Sequence, residues 1–291
     1  MEKHTRSFPA LFPFQGYARK MSALALVGGL FALFIPTAAR AEEFTLAVAS
    51  NFTTPMQAIA AKFEARTGHK VNLASGSSGK LFAQIRHGAP FDAFFSADQV
   101  KPSRLVALEL AKGSTLFTYA NGTLVLWSSH ADLVDGQGSV LNTGRYKKLA
   151  IANPRLAPYG IAAVEALQSL GIEQSSRARR VQGENISQTY QFVATGNADL
   201  GLVALSQLMR NGRLSRGSAW IVPQSLYRPI RQDAVILNRG VDSPALAEFW
   251  AFFSGPEVQE ILASFGYTAD FSPEKAEKAE KAEKAEKSHV E

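Results

Sequence analysis

Four short stretches set Ser, Asn, Gly or Tyr between an apolar run and an amphipathic one: AVASNFTTPM, LASGSSGKL, IANPRLAPYGIAAV and VQGENISQTY. They bring Ser50 and Asn51, then Ser77, Ser78 and Gly79, then Tyr159 and Gly160 behind Pro158, then Asn185 and Ile186 to the expected start of a helix. The first turn of a helix has backbone N–H groups without intrahelical acceptors and a partial positive charge, so it attracts anions. Ser, Asn and Tyr add neutral donors. A nucleotide phosphate is excluded for SGSSGK, because a Walker loop needs G-x-x-x-x-G-K-[ST]. Here Leu81 follows Lys80, and Ala74 stands where the first glycine belongs. Apart from Glu184, which precedes the helix start at Asn185 and Ile186, the stretches offer donors and no carboxylate, which suits a fully deprotonated oxyanion and disfavours a phosphate that still carries a proton. Lys80 is their one cation near a helix start, and at the second helical position it can face water. Six or seven charge-assisted hydrogen bonds at about 1.5–3 kcal/mol each suffice for sub-micromolar binding without a cation. Each of these residues, taken singly, is also an ordinary helix cap; the set of four is what points to a ligand.

Other chemistry fits less well. A serine nucleophile needs a base within reach and, in its commonest setting, G-x-S-x-G, which GSSGK breaks. Asp92, Asp98 and Asp199 lie near strand ends, and Asp98 reads as a helix cap. His69, His87 and His130 are scattered without ligand spacing, and the chain has no cysteine, hence no thiolate metal site and no disulfide. Neither an enzyme nor a zinc site is expected.

The elements that must position the four turns follow a repeating rhythm. EFTLAVAS, KVNLA and FDAFFSA read as strands, each followed by a helical stretch. KKLAIAN, RARRVQG and ADLGLVA repeat the pattern, the last followed by LSQLMRNG as a helix. Such alternation implies parallel sheets covered by helices on both faces, with ligands beyond the carboxyl ends of the strands. TLFTYANGTLVLWSS (115–129) and PIRQDAVILN (229–238) do not feed straight into helices and are expected to cross between two lobes. The fold class is therefore α/β, a two-lobed clamshell of the periplasmic-binding-protein kind, with parallel-sheet lobes joined by two crossing strands. Lobe 1 is expected over 42–122 with 229–271, and lobe 2 over 123–228.

Both ends read as separate. A basic segment, the apolar run ALALVGGLFALFI and the A-x-A site Ala39-Arg40-Ala41 form a cleavable export signal over 1–41, its apolar core too short for a spanning helix. Removing it takes the net charge from +6 to +2, so the basic balance is no nucleic-acid footprint. The repeat PEKAEKAEKAEKAEK holds no apolar stripe, and 272–291 is expected to be a solvated tail. A sensing regulator on the same clamshell would need a DNA-binding helix pair, whereas this chain opens with an export signal.

ASNFT, SGSSGKLFAQIRHGAPFDAFFSAD, ANGTLVLWS, IANPRLAPYGIAAVEAL, ADLGLVALSQ and SGPEVQEILASFGY together resemble the periplasmic molybdate-binding proteins, the substrate-binding subunits of molybdate ABC transporters. The resemblance spans about 43–270, and GAPFDAFFSAD is its most distinctive run. It implies a molybdate site, shared with tungstate, held by hydroxyls and backbone amides without a coordinated cation or cofactor. Carried over by motif, the ligand residues are Ser50, Asn51, Ser78, Tyr159 and Ile186. Ala204 stands where some members place a further tyrosine, and Asn51 where many have serine. The implied partners are the oxyanion and a membrane ABC permease, with a monomeric periplasmic chain and no nucleic acid. A carrier of sulfate or another tetrahedral oxyanion is the alternative.

Overall fold

The structure is a computed structural model that describes residues 41–210 and 212–268. The tail over 272–291 lies outside the described residues, as does the export signal apart from Ala41. From β1 (Glu43–Ala49) the chain passes through a 3-10 turn at Ser50–Phe52 into α1 (Thr53–Thr67), then β2 (Lys70–Gly76), α2 (Ser78–Arg86), β3 (Ala93–Phe95) and α3 (Val100–Ala107). β4 (Phe117–Gly122) and β5 (Leu124–Ser128) follow, separated by Thr123 alone. Next come β6 (Leu149–Ala152), α4 (Pro158–Ser169), β7 (Arg180–Gly183), α5 (Ile186–Ala194), β8 (Leu200–Ala204) and the single turn α6 (Leu205–Leu208). The hairpin of β9 (Met209–Arg210) and β10 (Arg213–Leu214) leads to β11 (Ser218–Ile221), β12 (Ile230–Ile236), α7 (Pro244–Phe253) and α8 (Pro256–Ser264).

Two five-stranded sheets result, ordered β2-β1-β3-β12-β4 and β11-β5-β8-β6-β7. Alternation along a strand sends successive side chains to opposite faces, and both faces are covered. Leu46 and Val48 of β1 pack with Met56, Ile59 and Phe63 of α1 and with Phe249 and Phe253 of α7. Ala47 between them packs with Leu81 and Ile85 of α2 and Leu105 of α3. In the second sheet Leu124 and Leu126 of β5 join Ala162, Ala166 and Leu167 of α4, while Val125 and Trp127 join Val193 of α5.

The sheets are mixed, where sequence reasoning expected parallel ones. β1, β2 and β3 are parallel, as are β6, β7 and β8, but β12 runs antiparallel to β3 and β4, and β5 antiparallel to β8 and β11. The crossing itself imposes this. β4 leaves the first sheet at the carboxyl end of its parallel strands, and Leu124 at the start of β5 meets Ala204 at the carboxyl end of β8. A strand that enters at that edge can only run against its neighbours, and β12 does the same on its return. A second difference is local. LSQLMRNG is one helical turn and then a hairpin, with Met209 paired to Leu214 and Arg210 to Arg213. Asn-Gly between these strands is a hairpin signal that outweighs the helical spacing, and Gly212 takes φ +73°, which side-chain-bearing residues rarely adopt.

Candidate functional site

All four turns leave the carboxyl ends of parallel strands: Ser50 after β1, Ser78 after β2, Tyr159 after β6 and Ile186 after β7. Their residues are buried, with Ser78 and Tyr159 each 1% exposed and Ile186 2%. Hydrogen bonds between the lobes draw the turns together in pairs. Ser187 Oγ donates to the Ser50 carbonyl at 3.1 Å, and Ser206 Oγ to the Asn51 carbonyl at 2.9 Å. The Gly79 amide donates to the Leu156 carbonyl at 2.8 Å, and Lys80 Nζ lies 2.8 Å from Glu184 Oε1. Ala49 and Ala97 of the first lobe also pack with Ala157 and Tyr159 of the second.

Within the turns, capping residues and residues that begin the helix separate. Ser77 is the N-cap of α2, its hydroxyl accepting from the Lys80 amide at 3.4 Å. Ser78 is the first helical residue; its Oγ accepts from the Ala97 amide at 2.9 Å, which leaves its own proton to donate. Asn185 caps α5 by accepting from the Gln188 amide at 3.0 Å, so Ile186 begins the helix. Pro158 opens α4 and places the Tyr159 amide second. Helix geometry gives the amides of Ser78, Tyr159 and Ile186 no acceptor; the Gly79 amide goes to Leu156 O across the cleft, and those of Gly160 and Ile161 go to Ala157 O at the cap of their own helix.

Asn51 divides differently. Its Nδ2 donates to Gln232 Oε1 at 2.8 Å and to Tyr267 Oη at 2.9 Å, so both side-chain protons are engaged inside the protein. Tyr267 Oη donates in turn to the Asn51 carbonyl at 3.1 Å, and Tyr119 Oη lies 3.0 Å from Gln232 Oε1. What remains at this turn to meet a ligand is backbone N–H and the Ser50 hydroxyl. Burial pushes the phenols of Tyr119 and Tyr159 well above their ordinary range, and that of Tyr267 up to about 12. All three stay protonated and neutral.

Sequence reasoning missed this buried polar cluster, Gln232 and Tyr267 above all. Its one signal was polar Arg231, Gln232 and Asp233 inside a strand whose other residues are apolar, and Gln232 and Asp233 are buried there. Tyr159 Oη and Gln232 Nε2 lie over Gly122, where a Cβ would come within 2.2 Å and 2.6 Å of them; neither bonds to a described residue. The side chain of Tyr159 thus reaches the crossing strands while its amide sits at the α4 start.

The carboxylates near strand ends are taken by structure. Asp92 accepts from the Thr45 amide at 2.7 Å and from Arg239 Nε at 2.9 Å. Asp98 accepts from the Lys101 amide at 3.0 Å and pairs with the Lys101 ammonium, a capping role. Asp199 accepts from the amides of Lys147 and Lys148 at 2.8 Å each. Lys80, about half exposed, pairs with Glu184 across the cleft. Among the described residues no group of three or more His, Asp or Glu side chains could hold a metal ion.

Residues 44–268 match the family described as bacterial extracellular solute-binding protein. The molybdate-binding protein ModA of Azotobacter vinelandii is 48% identical over 242 residues, covering 83% of this chain and 96% of the relative. The chain belongs to the bacterial extracellular solute-binding proteins. A second relative of this solute-binding protein, the molybdate-binding protein ModA of Rhodobacter capsulatus, is 45% identical over 249 residues, 86% of this chain and 95% of its own. The solved structure of the Azotobacter vinelandii periplasmic molybdate-binding protein superposes on the solute-binding protein with a TM-score of 0.75 at 38% identity, covering 77% of this chain and 98% of that one.

Proposed function

We propose that this solute-binding protein captures molybdate, and tungstate with it, between its two lobes and delivers it to a membrane ABC permease. One observation carries the reading: four helix or 3-10 starts from two sheets, bound to each other across the cleft, offer neutral donors. That the chain is 48% and 45% identical to two molybdate-binding proteins supports the same ligand. In this reading the hydroxyls of Ser50 and Ser78 and the backbone amides of Asn51, Ser78, Tyr159 and Ile186 hold the four oxygens. The helix dipoles supply the attraction that a lysine would otherwise provide.

The lobes are read as 42–122 with 229–271 and 123–228, turning about the crossing strands. Because the donors come from both lobes, the anion favours the closed arrangement. Fixed donors spaced for a large tetrahedral dianion leave long bonds to sulfate, which is smaller. No reaction is assigned to the site: Asp92 and Asp199 precede β3 and β8 at the edge away from the turns, and Asp98 is bound to the Lys101 amide and ammonium. Export behind a cleaved leader and a monomeric chain complete the reading.

Titration calorimetry on the chain from Glu42 tests it, with molybdate, tungstate, sulfate and phosphate in turn. Tight one-to-one binding of the first two, with sulfate far weaker and phosphate silent, is expected. Tight sulfate binding would keep the cradle and change its ligand. No heat from any of the four would reduce the turns to well-capped helices.

A further inference from the structure

Gly79 is the second residue of α2, in the first turn of a helix whose neighbouring amides are assigned above to the ligand. It has no conformational need to be glycine, since its φ is not among the positive values found in the chain. Glycine is also a poorer helix former than alanine. Its reason lies across the cleft. A Cβ at Gly79 would meet Leu156 O at 2.9 Å, Leu156 Cα at 3.0 Å and Leu156 C at 3.4 Å, all three on the backbone of the opposite lobe. Gly160 offers the contrast: a Cβ there would strike Ala152 O at 2.3 Å, inside its own lobe, so it serves the packing of α4 on β6. At Gly79 the two main chains meet directly, and the Gly79 amide seals the contact by donating to Leu156 O at 2.8 Å.

We propose that Gly79 and Leu156 form the mechanical stop of lobe closure, a backbone-to-backbone contact that sets the final distance between the two halves of the oxyanion cradle. The proposal rests on the ligand reading above. A stop made of main chain cannot yield by changing rotamer, so the span of the cradle is fixed to a few tenths of an ångström. The neighbouring contact between Lys80 and Glu184 is of another kind. Both side chains are about half exposed, and their long flexible stems tolerate a change in the gap. Any side chain at position 79 holds the lobes apart, lengthens the Gly79–Leu156 bond and takes the Tyr159 and Ile186 amides away from the hydroxyls opposite. The ligand-free first lobe, by contrast, gains a better helix former.

Gly79→Ala separates these effects. Molybdate affinity by calorimetry is expected to fall roughly ten- to hundredfold, the range in which an overpacked contact lies. The melting temperature of the ligand-free chain is expected to hold or rise. The chain has no cysteine, so nitroxide labels on Lys62→Cys and Gln174→Cys, both exposed and one in each lobe, report closure cleanly. With Gly79→Ala the label distances in the molybdate-loaded chain are expected to stay longer than in the parent. Parental affinity and parental distances would overturn the stop. So would a ligand-free melting temperature that falls together with the affinity, because Gly79 would then serve the fold of its own lobe. A parent chain that takes up no molybdate defeats the ligand reading instead. The ligand-free distances then decide the stop: a short-distance population lost in Gly79→Ala supports it, and identical distributions refute it.

Discussion

Ser77 and Ser78 are adjacent, buried and chemically identical, yet their hydroxyls do different work. Ser77 Oγ accepts from the Lys80 amide and closes the end of a helix; Ser78 Oγ accepts from the Ala97 amide, which leaves its own proton for the ligand proposed above. Ser77→Ala should therefore lower the stability of the ligand-free chain by about 1 kcal/mol, the usual cost of a lost cap. Ser78→Ala should weaken molybdate binding by about 1.5–3 kcal/mol, the worth of a hydrogen bond to a charged group, and should also lower stability by about 1–3 kcal/mol because the buried Ala97 amide loses its acceptor, whereas Ser77→Ala should leave the affinity nearly unchanged. Paired denaturation and calorimetry on the two variants check this, and exchanged effects would mean the roles are reversed. Asp199 belongs to the same scale. Partial burial raises its carboxyl, but the amides of Lys148 and Lys147 outweigh this and its pKa is lowered. A lowered folded pKa adds stability above the unfolded value of about 4, which is lost as pH falls through the folded value. Asp199→Asn should thus melt below the parent at about pH 6, with the gap closing toward about pH 3. A gap independent of pH would assign the difference to hydrogen-bond geometry and not to charge.

At the scale of elements, the crossing strands decide most. Gly122 ends β4 one residue before β5 begins, and the space its missing side chain leaves is filled by Tyr159 Oη from the second lobe and Gln232 Nε2 from β12. Gly122→Ala should destabilise the ligand-free chain by about 1–3 kcal/mol through overpacking, visible as an earlier urea midpoint. It differs from Gly79→Ala in that sign, because the contact at Gly122 lies within the connected core and the contact at Gly79 at the cleft. An unchanged midpoint would show that Tyr159 and Gln232 move aside freely. The helical starts were legible because Pro158 opens α4, and Ser77 and Asn185 cap α2 and α5. β11 was not, since SAWI is four residues long and gains its identity only by pairing with β5. The hairpin at Arg210–Arg213 was legible in its Asn-Gly pair, but the apolar spacing of LSQLM concealed it.

For the whole molecule, the cradle proposed here contains no group that titrates near neutrality. Its donors are amides and hydroxyls, and the phenols behind it are kept protonated by burial. Molybdate affinity should accordingly vary by less than about threefold between about pH 6 and pH 9. Calorimetry across that range measures it, and a marked decline toward pH 9 would show an ionising group inside the site.

The sequence alone marked the alternation of strands and helices, the four strand-to-helix turns proposed here to hold the anion, and the lack of cysteine. Each of these depends on residues close together in the chain, where capping, periodicity and composition act. Only the tertiary structure decided that the sheets are mixed, that Asn51 spends both side-chain protons on Gln232 and Tyr267, and that Gly79 meets Leu156. Residues 51 and 267, or 79 and 156, are remote in sequence, and no local preference records which of them will meet. That is settled when the crossing strands turn the carboxyl ends of two sheets toward one cleft, where the backbones at Gly79 and Leu156 come so close that a Cβ would crowd them.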